Sequence, residues 1–187
     1  MNDIMVDLET METTADAVII SIGAVKFDLT SDAVSDEGFY ASISVESNLD
    51  YGRRISEDTL VNFWMDDEKT GNGARSVFKE PKQGIDDAFD AFAKWVDRPD
   101  YRIWSNGANF DEPILAHAFT QLRMPIPWKF WNVRCVRTFK NLPGAKDVVV
   151  PRVGVHHNAL ADALTQAALV QQIYCKLFIK MKVRAIA

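Results

Sequence analysis

The sequence predicts an α/β fold, a mixed five-stranded sheet flanked by helices. Three observations lead there: β-branched apolar runs crowd the first 45 positions, the hydrophobic period becomes helical after about residue 58, and strand-like and helix-like segments then alternate. Ile4 to Leu8 and Ala17 to Phe27 are rich in Val and Ile and are separated by the polar stretch from Glu12 to Asp16; Phe39 to Val45 alternates apolar and polar. Together they read as a three-stranded meander. Asp58 to Met65 reads as a short helix ended by "TGNG". Ile85, Ala88, Phe89, Phe92, Trp95 and Val96 then recur at the spacing of one helical face. Arg102 to Ser105 is a short strand, "NGANFDEPILAHAFTQLRM" a glycine-containing loop and a helix, and Val133 to Val136 a fifth strand. Irregular chain follows from Leu142 to Gly154, and the longest helix runs from Ala159 to about Met181.

At 187 residues, 48% hydrophobic and 25% charged, the chain has the size and apolar content of one compact domain, expected to span residues 1–187. Its 21 basic and 26 acidic residues leave a net charge of −5, which excludes a broad basic face that would hold duplex DNA by phosphate neutralisation alone. A nucleic-acid partner would have to be gripped locally. Cys135 and Cys175 lie far apart, outside any metal-ligand spacing, which fits reduced thiols better than a disulfide framework. There is no basic n-region before an apolar stretch, and no run approaching ~18 apolar residues, so neither export nor a membrane span is expected.

The acidic residues fall at the edges of elements. Asp7 and Glu9 form a D-x-E pair at the end of the first apolar run. In an extended strand they share a face about 7 Å apart, where they repel unless water or a cation neutralises them. Asn109 reads as a helix N-cap with Glu112 as its capping-box partner, which puts Asp111 in the first turn near the end of the preceding strand. In "HHNALADALTQ", His157 and Asp162 are five residues apart, about 500° of ideal helix, so they converge only if His157 lies in the loop ahead of the helix. Singly, each residue has an ordinary explanation: a helix-dipole partner for Asp111, a loop histidine for His157, a solvated helix residue for Asp162. Asp7 and Glu9 are harder to set aside, because a paired acidic strand end costs electrostatic energy without an evident structural return, and the strong signal is the whole set.

Through "VDLETM…AVIISIGAV", "WSNGANFDEPIL" and "HNALADA" the sequence resembles the DEDDh 3′-to-5′ exonucleases of the ribonuclease H-like fold, over nearly the whole chain. "TLVNFWMDDEKTGNGARS" and "PWKFWNVRCVRTF" are similar to the phage and prophage branch of exodeoxyribonuclease A and exonuclease VIII-like proteins, a branch shared with a mycobacterial exoribonuclease. Cys135 stands where that branch usually has Asp, and Phe63 where it often has Trp.

The resemblance implies two Mg²⁺ or Mn²⁺ ions, for which hard carboxylate oxygens are suited. Asp7 would bridge the ions, Glu9 and Asp162 would complete the site of the attacking water, Asp111 would hold the second ion, and His157 would take the proton from water. The substrate would be the 3′ end of single-stranded DNA, with RNA as the alternative, acted on by a monomer or homodimer in the cytoplasm of a bacterial or phage-infected cell. Thr10 and Met11 would meet the terminal nucleotide, Met11 as a wedge. Phe63, Trp64 and Phe110 are each either stacking surfaces or core, and Arg137 and Thr138 either phosphate contacts or supports. His156, adjacent to His157 in an extended loop, would point away from the metals. A non-hydrolysing binding module, a ribonuclease H and a phosphatase are the alternatives in other classes.

Overall fold

The computed structural model describes residues 1–35, 37–71 and 73–179. Three strands open it: β1 (Asp3–Thr10), β2 (Ile19–Phe27) and β3 (Phe39–Ser42). A short helix α1 (Val45–Asp50) follows, capped by the Ser44 side chain, and then α2 (Glu57–Thr59), capped by Ser56 and running into a π-helical turn at Leu60–Trp64. The long amphipathic helix α3 (Ile85–Val96) leads to β4 (Arg102–Ser105), α4 (Asp111–Gln121), β5 (Val133–Cys135), α5 (Val136–Lys140) and α6 (Ala159–Tyr174), which continues as a π turn at Cys175–Ile179. The expected end of the last helix, at Met181, lies outside the described residues.

The sheet order is β3-β2-β1-β4-β5. The meander pairs antiparallel, while β4 and β5 add in parallel, so the sheet is mixed as the sequence predicts. Alternation along β1 divides two cores. Ile4, Val6 and Leu8 face α3 and α4, packing with Ile85, Phe89, Phe92, Ile114 and Phe119. Met5 lies on the other face with Val25, Phe27, Trp104 and the α6 residues Ala163, Ala167 and Val170. Asp3, Asp7 and Glu9 share the parity of Met5 and so the α6 side. Asp3, fully buried, is neutralised there by a bidentate pair with Arg102, at 2.6 and 2.5 Å, and by the Trp104 indole N–H at 2.8 Å.

Asp7 stands opposite Gly23 in the antiparallel ladder, so a side chain at 23 would leave the sheet on the same face as the Asp7 carboxylate. That space is taken by the first turn of α6: a Cβ on Gly23 would overlap the backbone of Ala159 and Leu160. Gly23 therefore sets how closely α6 approaches the sheet, and with it the distance from Asp162 to the end of β1.

Two local expectations are corrected. Asn109 does not cap α4; the N-cap position is Phe110, with no side-chain cap. Glu112 instead accepts the Trp128 indole N–H at 3.1 Å, so the side chain that would complete a capping box is committed to a tryptophan that packs against Phe92 and Phe119. The segment 58–65 is not one regular helix but a single α turn followed by a π turn, a form that appears where the chain must re-aim a side chain; here it turns Trp64 inward.

Gly23→Ala is expected to destabilise the fold by roughly 3 kcal/mol, the upper end of overpacking costs, because backbone rather than a flexible side chain must retreat. Urea titration followed by circular dichroism measures it; an unchanged midpoint would show that α6 does not depend on this contact.

Candidate functional site

Beyond Met5, β1 outruns its pairing with β4, and the Leu8 N–H is taken instead by Asp111 Oδ1 at 3.1 Å. That bond fixes Asp111, the first residue of α4, beside the end of β1 and buries it. From the other direction Asn158 caps α6, its Oδ1 accepting the Ala161 N–H at 3.1 Å, so that Asp162 enters on the first turn. A register shift between Glu9 and Thr10 re-aims the end of β1. The result is a cleft of about 790 Å³ into which Asp7, Glu9, Asp111 and Asp162 all project. Asp7, Glu9 and Asp162 each offer a carboxylate oxygen within 4.8 Å of the others. Asp111 lines the same cleft, one of its oxygens committed to Leu8.

Such crowding raises proton affinities. Burial first, then the charges of Asp111 and Glu9, hold the Asp7 carboxyl well above the usual carboxylate range. Burial and the Asp111 charge push Glu9 up to about 8. Burial lifts Asp111 to about 6, against the pull of the Leu8 N–H and other backbone donors. These carboxyls resist ionisation because nothing in their neighbourhood supplies enough positive charge. Arg152 meets the Asp162 carboxylate through its guanidinium and is felt by Asp7 and Glu9, and Arg137 acts on Asp111. Three hard oxygen donors a few ångströms apart, short of counter-charge, suit a divalent cation.

His157 lies in the loop ahead of α6, as the H-x4-D spacing requires, with its backbone N–H on Asp162 Oδ2 at 3.2 Å. Its φ of 59° is left-handed, so the loop is not extended at this point. The expectation that His156 points away is therefore wrong: the two rings stack with centroids 3.9 Å apart, and both offer a nitrogen within 4.8 Å of Asp162. What distinguishes them is Phe63, whose ring meets that of His157 edge-on at 4.8 Å. Burial, then the nearby His156 and Arg152, depress His157 to about 4, and the Lys69 main chain opposes them weakly.

Two residues given substrate roles from the sequence are placed elsewhere. Trp64 is buried, with its indole N–H on the Thr10 carbonyl at 2.9 Å, so it anchors the end of β1 rather than offering a stacking face. Met11 is buried in the same small core with Val18, Ile20 and Val77 and cannot act as a wedge. Thr10, Phe63 and Phe110 do line the cleft. Cys135 occupies the N-cap of α5, accepting the Thr138 N–H at 3.4 Å; burial would raise the thiol, but this bond and the Arg137 charge leave it below its ordinary value. Sequence reasoning missed Arg152 and Gln166. Gln166 was visible as the i+4 neighbour of Asp162 on α6; Arg152, in irregular chain, carried no signal.

A family model described as the 3′-5′ exoribonuclease Rv2179c-like domain matches residues 2–174. No curated protein sequence matches. Among solved structures, the cell-death related nuclease 4 (CRN-4) aligns with TM-score 0.58 and 12% identity over 95% of this chain, which spans 63% of that protein. Exonuclease X in complex with 5′ overhanging duplex DNA aligns with TM-score 0.53 and 17% identity, covering 91% of this chain and 90% of the other. A full-length 3′-exonuclease aligns with TM-score 0.53 and 11% identity over 94% and 84%. At these identities the structures establish the likeness of fold, the ribonuclease H-like arrangement that the sequence resemblance implies.

The raised carboxyls set the sign of a pH effect. Between the unfolded values near 4 and the folded values, up to about 8 for Glu9, the native state binds more protons than the unfolded one, so stability is fullest at low pH and falls as pH rises through this window. In EDTA the melting temperature is expected to drop by roughly 5 °C or more from pH 5 to pH 8, and millimolar Mg²⁺ or Mn²⁺ to restore it. Equal melting temperatures at both pH values would show that the cluster is neutralised from within.

Proposed function

Because the chain belongs to the 3′-5′ exoribonuclease Rv2179c-like family, and is by that membership a 3′-5′ exonuclease of the DEDDh type, we propose that it trims the 3′ ends of single-stranded RNA, releasing nucleoside 5′-monophosphates. The observation that carries the reading is the carboxylate cluster of Asp7, Glu9 and Asp162 with Asp111 beside it and His157 at its edge. RNA takes precedence over the DNA expected from the sequence because the family is described by its action on ribonucleotides. The motifs that resemble the phage and prophage branch support placing the chain near it, and residues 1–187 are read as one catalytic domain acting as a monomer or homodimer.

Asp7, Glu9 and Asp162 would hold the divalent cations, Mg²⁺ or Mn²⁺, with the free oxygen of Asp111 completing the second position. When bound, the cations neutralise charge on the attacking and departing oxygens of an in-line displacement. The protein's own groups do the rest. His157 accepts the proton of the attacking water at a ring nitrogen, and Phe63 and the Asp162 contact hold its ring and backbone in place. Lys69, Arg137 and Arg152 line the cleft and attract the phosphate chain. Phe63 and Phe110 offer faces against which terminal bases stack, at about 1–3 kcal/mol per base without selecting the base. Among the described residues no helix is long and apolar enough to cross a membrane.

Parallel digestion of matched 5′-labelled RNA and DNA strands tests the substrate. RNA is expected to shorten stepwise from the 3′ end with Mg²⁺ or Mn²⁺ and to be spared with EDTA; Asp162→Ala should lose several powers of ten in rate without unfolding. Faster trimming of DNA overturns the sugar assignment, and full activity of the variant overturns the site.

For His157→Ala, a 10²- to 10⁴-fold loss in kcat with little change in strand binding is expected. Wild-type kcat for His157→Ala at saturating cation would show that another group accepts the proton.

A further inference from the structure

Gln166 stands one helical turn beyond Asp162, on the same face of α6, and lines the carboxylate cleft. Its amide nitrogen donates to Asp7 Oδ1 at 2.7 Å, so a side chain from α6 fixes one oxygen of the carboxylate at the centre of β1. Its amide oxygen is buried and, among the described residues, accepts no hydrogen bond. A polar atom in that position is expected to have a partner, and the nearby side chains are carboxylates that have no proton to offer once ionised.

We infer that Gln166 is a positioning residue for the metal site, its amide nitrogen setting the rotamer of Asp7 and its amide oxygen receiving a hydrogen bond from solvent that enters with the cation. This rests on the reading of the cleft as a divalent-metal site. The residue type fits both tasks. A lysine or arginine could also donate to Asp7, but its charge would compete with the cation. A glutamate would add a fifth carboxylate to a cluster already short of positive charge, and an apolar side chain could do neither. A neutral amide donates to the carboxylate, leaves its charge available, and still presents an acceptor.

Gln166→Met keeps the length and helix preference of the side chain and removes both polar atoms; Gln166→Ala guards against an accident of methionine packing. Mn²⁺ binding is measured by calorimetry without nucleic acid, alongside the melting temperature in EDTA and the kcat and KM for an oligonucleotide. Both variants are expected to bind Mn²⁺ 10- to 100-fold more weakly and to lose kcat by a similar factor, with KM within about threefold and the EDTA melting temperature unchanged or higher. Mn²⁺ affinity within twofold of wild type, or a lowered melting temperature as the only change, overturns the inference and leaves Gln166 as packing. Wild-type protein that binds no Mn²⁺ and hydrolyses nothing overturns the metal-site reading itself, and the role of Gln166 with it.

Discussion

The fold must hold four carboxylates together in a cleft where most are buried and where the nearby cations do not offset their charge. Like charges a few ångströms apart in a medium of reduced dielectric repel by kilocalories rather than tenths. The cluster survives because it is assembled by backbone that other interactions have already placed. β1 shows both ways of handling a buried acid. Asp3 is neutralised by Arg102 and Trp104 and serves the sheet, whereas Asp7 and Glu9, on the same face, are left short of positive charge. The contrast within one strand argues that the shortage is a property of the C-terminal end of β1 and of what it must bind.

Three contacts outside the cluster supply that placement. Gly23 admits α6 to the sheet directly opposite Asp7. Trp64 ties the last carbonyl of β1, and Met11 lies in the same core, so the chain after Glu9 is anchored. Asn48, fully buried, bonds both the N–H and the carbonyl of Ile19 and secures the start of β2 against α1. Each removes a freedom by which mutual repulsion could otherwise relax the site.

Period and pairing made most of this legible in the sequence. The meander, the face of α3 and the position of β4 follow from hydrophobic spacing, and the placing of His157 in a loop follows from the arithmetic of five residues on a helix. The failures share a cause. Asn109 has the chemistry of a cap, Trp64 that of a stacking face and Met11 that of a wedge, but each fate was decided by a neighbour distant in sequence: Trp128 for Glu112, the Thr10 carbonyl for Trp64, Val18 and Ile20 for Met11. His156 failed for a local reason, because a left-handed residue beside it breaks the alternation of an extended chain. Arg152 was invisible because irregular chain has no period from which to read a direction.

Arg152 also shows how an acidic protein can receive a polyanion. The net charge of −5 repels nucleic acid at long range, yet Lys69, Arg137 and Arg152 converge on one cleft whose floor is acidic. Arg152 itself meets Asp162, so that one of these positive charges is spent inside the cluster. Divalent cations on Asp7, Glu9 and Asp162 would offset that acidic floor, so the residues that would hold them would also cease to oppose the approach of phosphate.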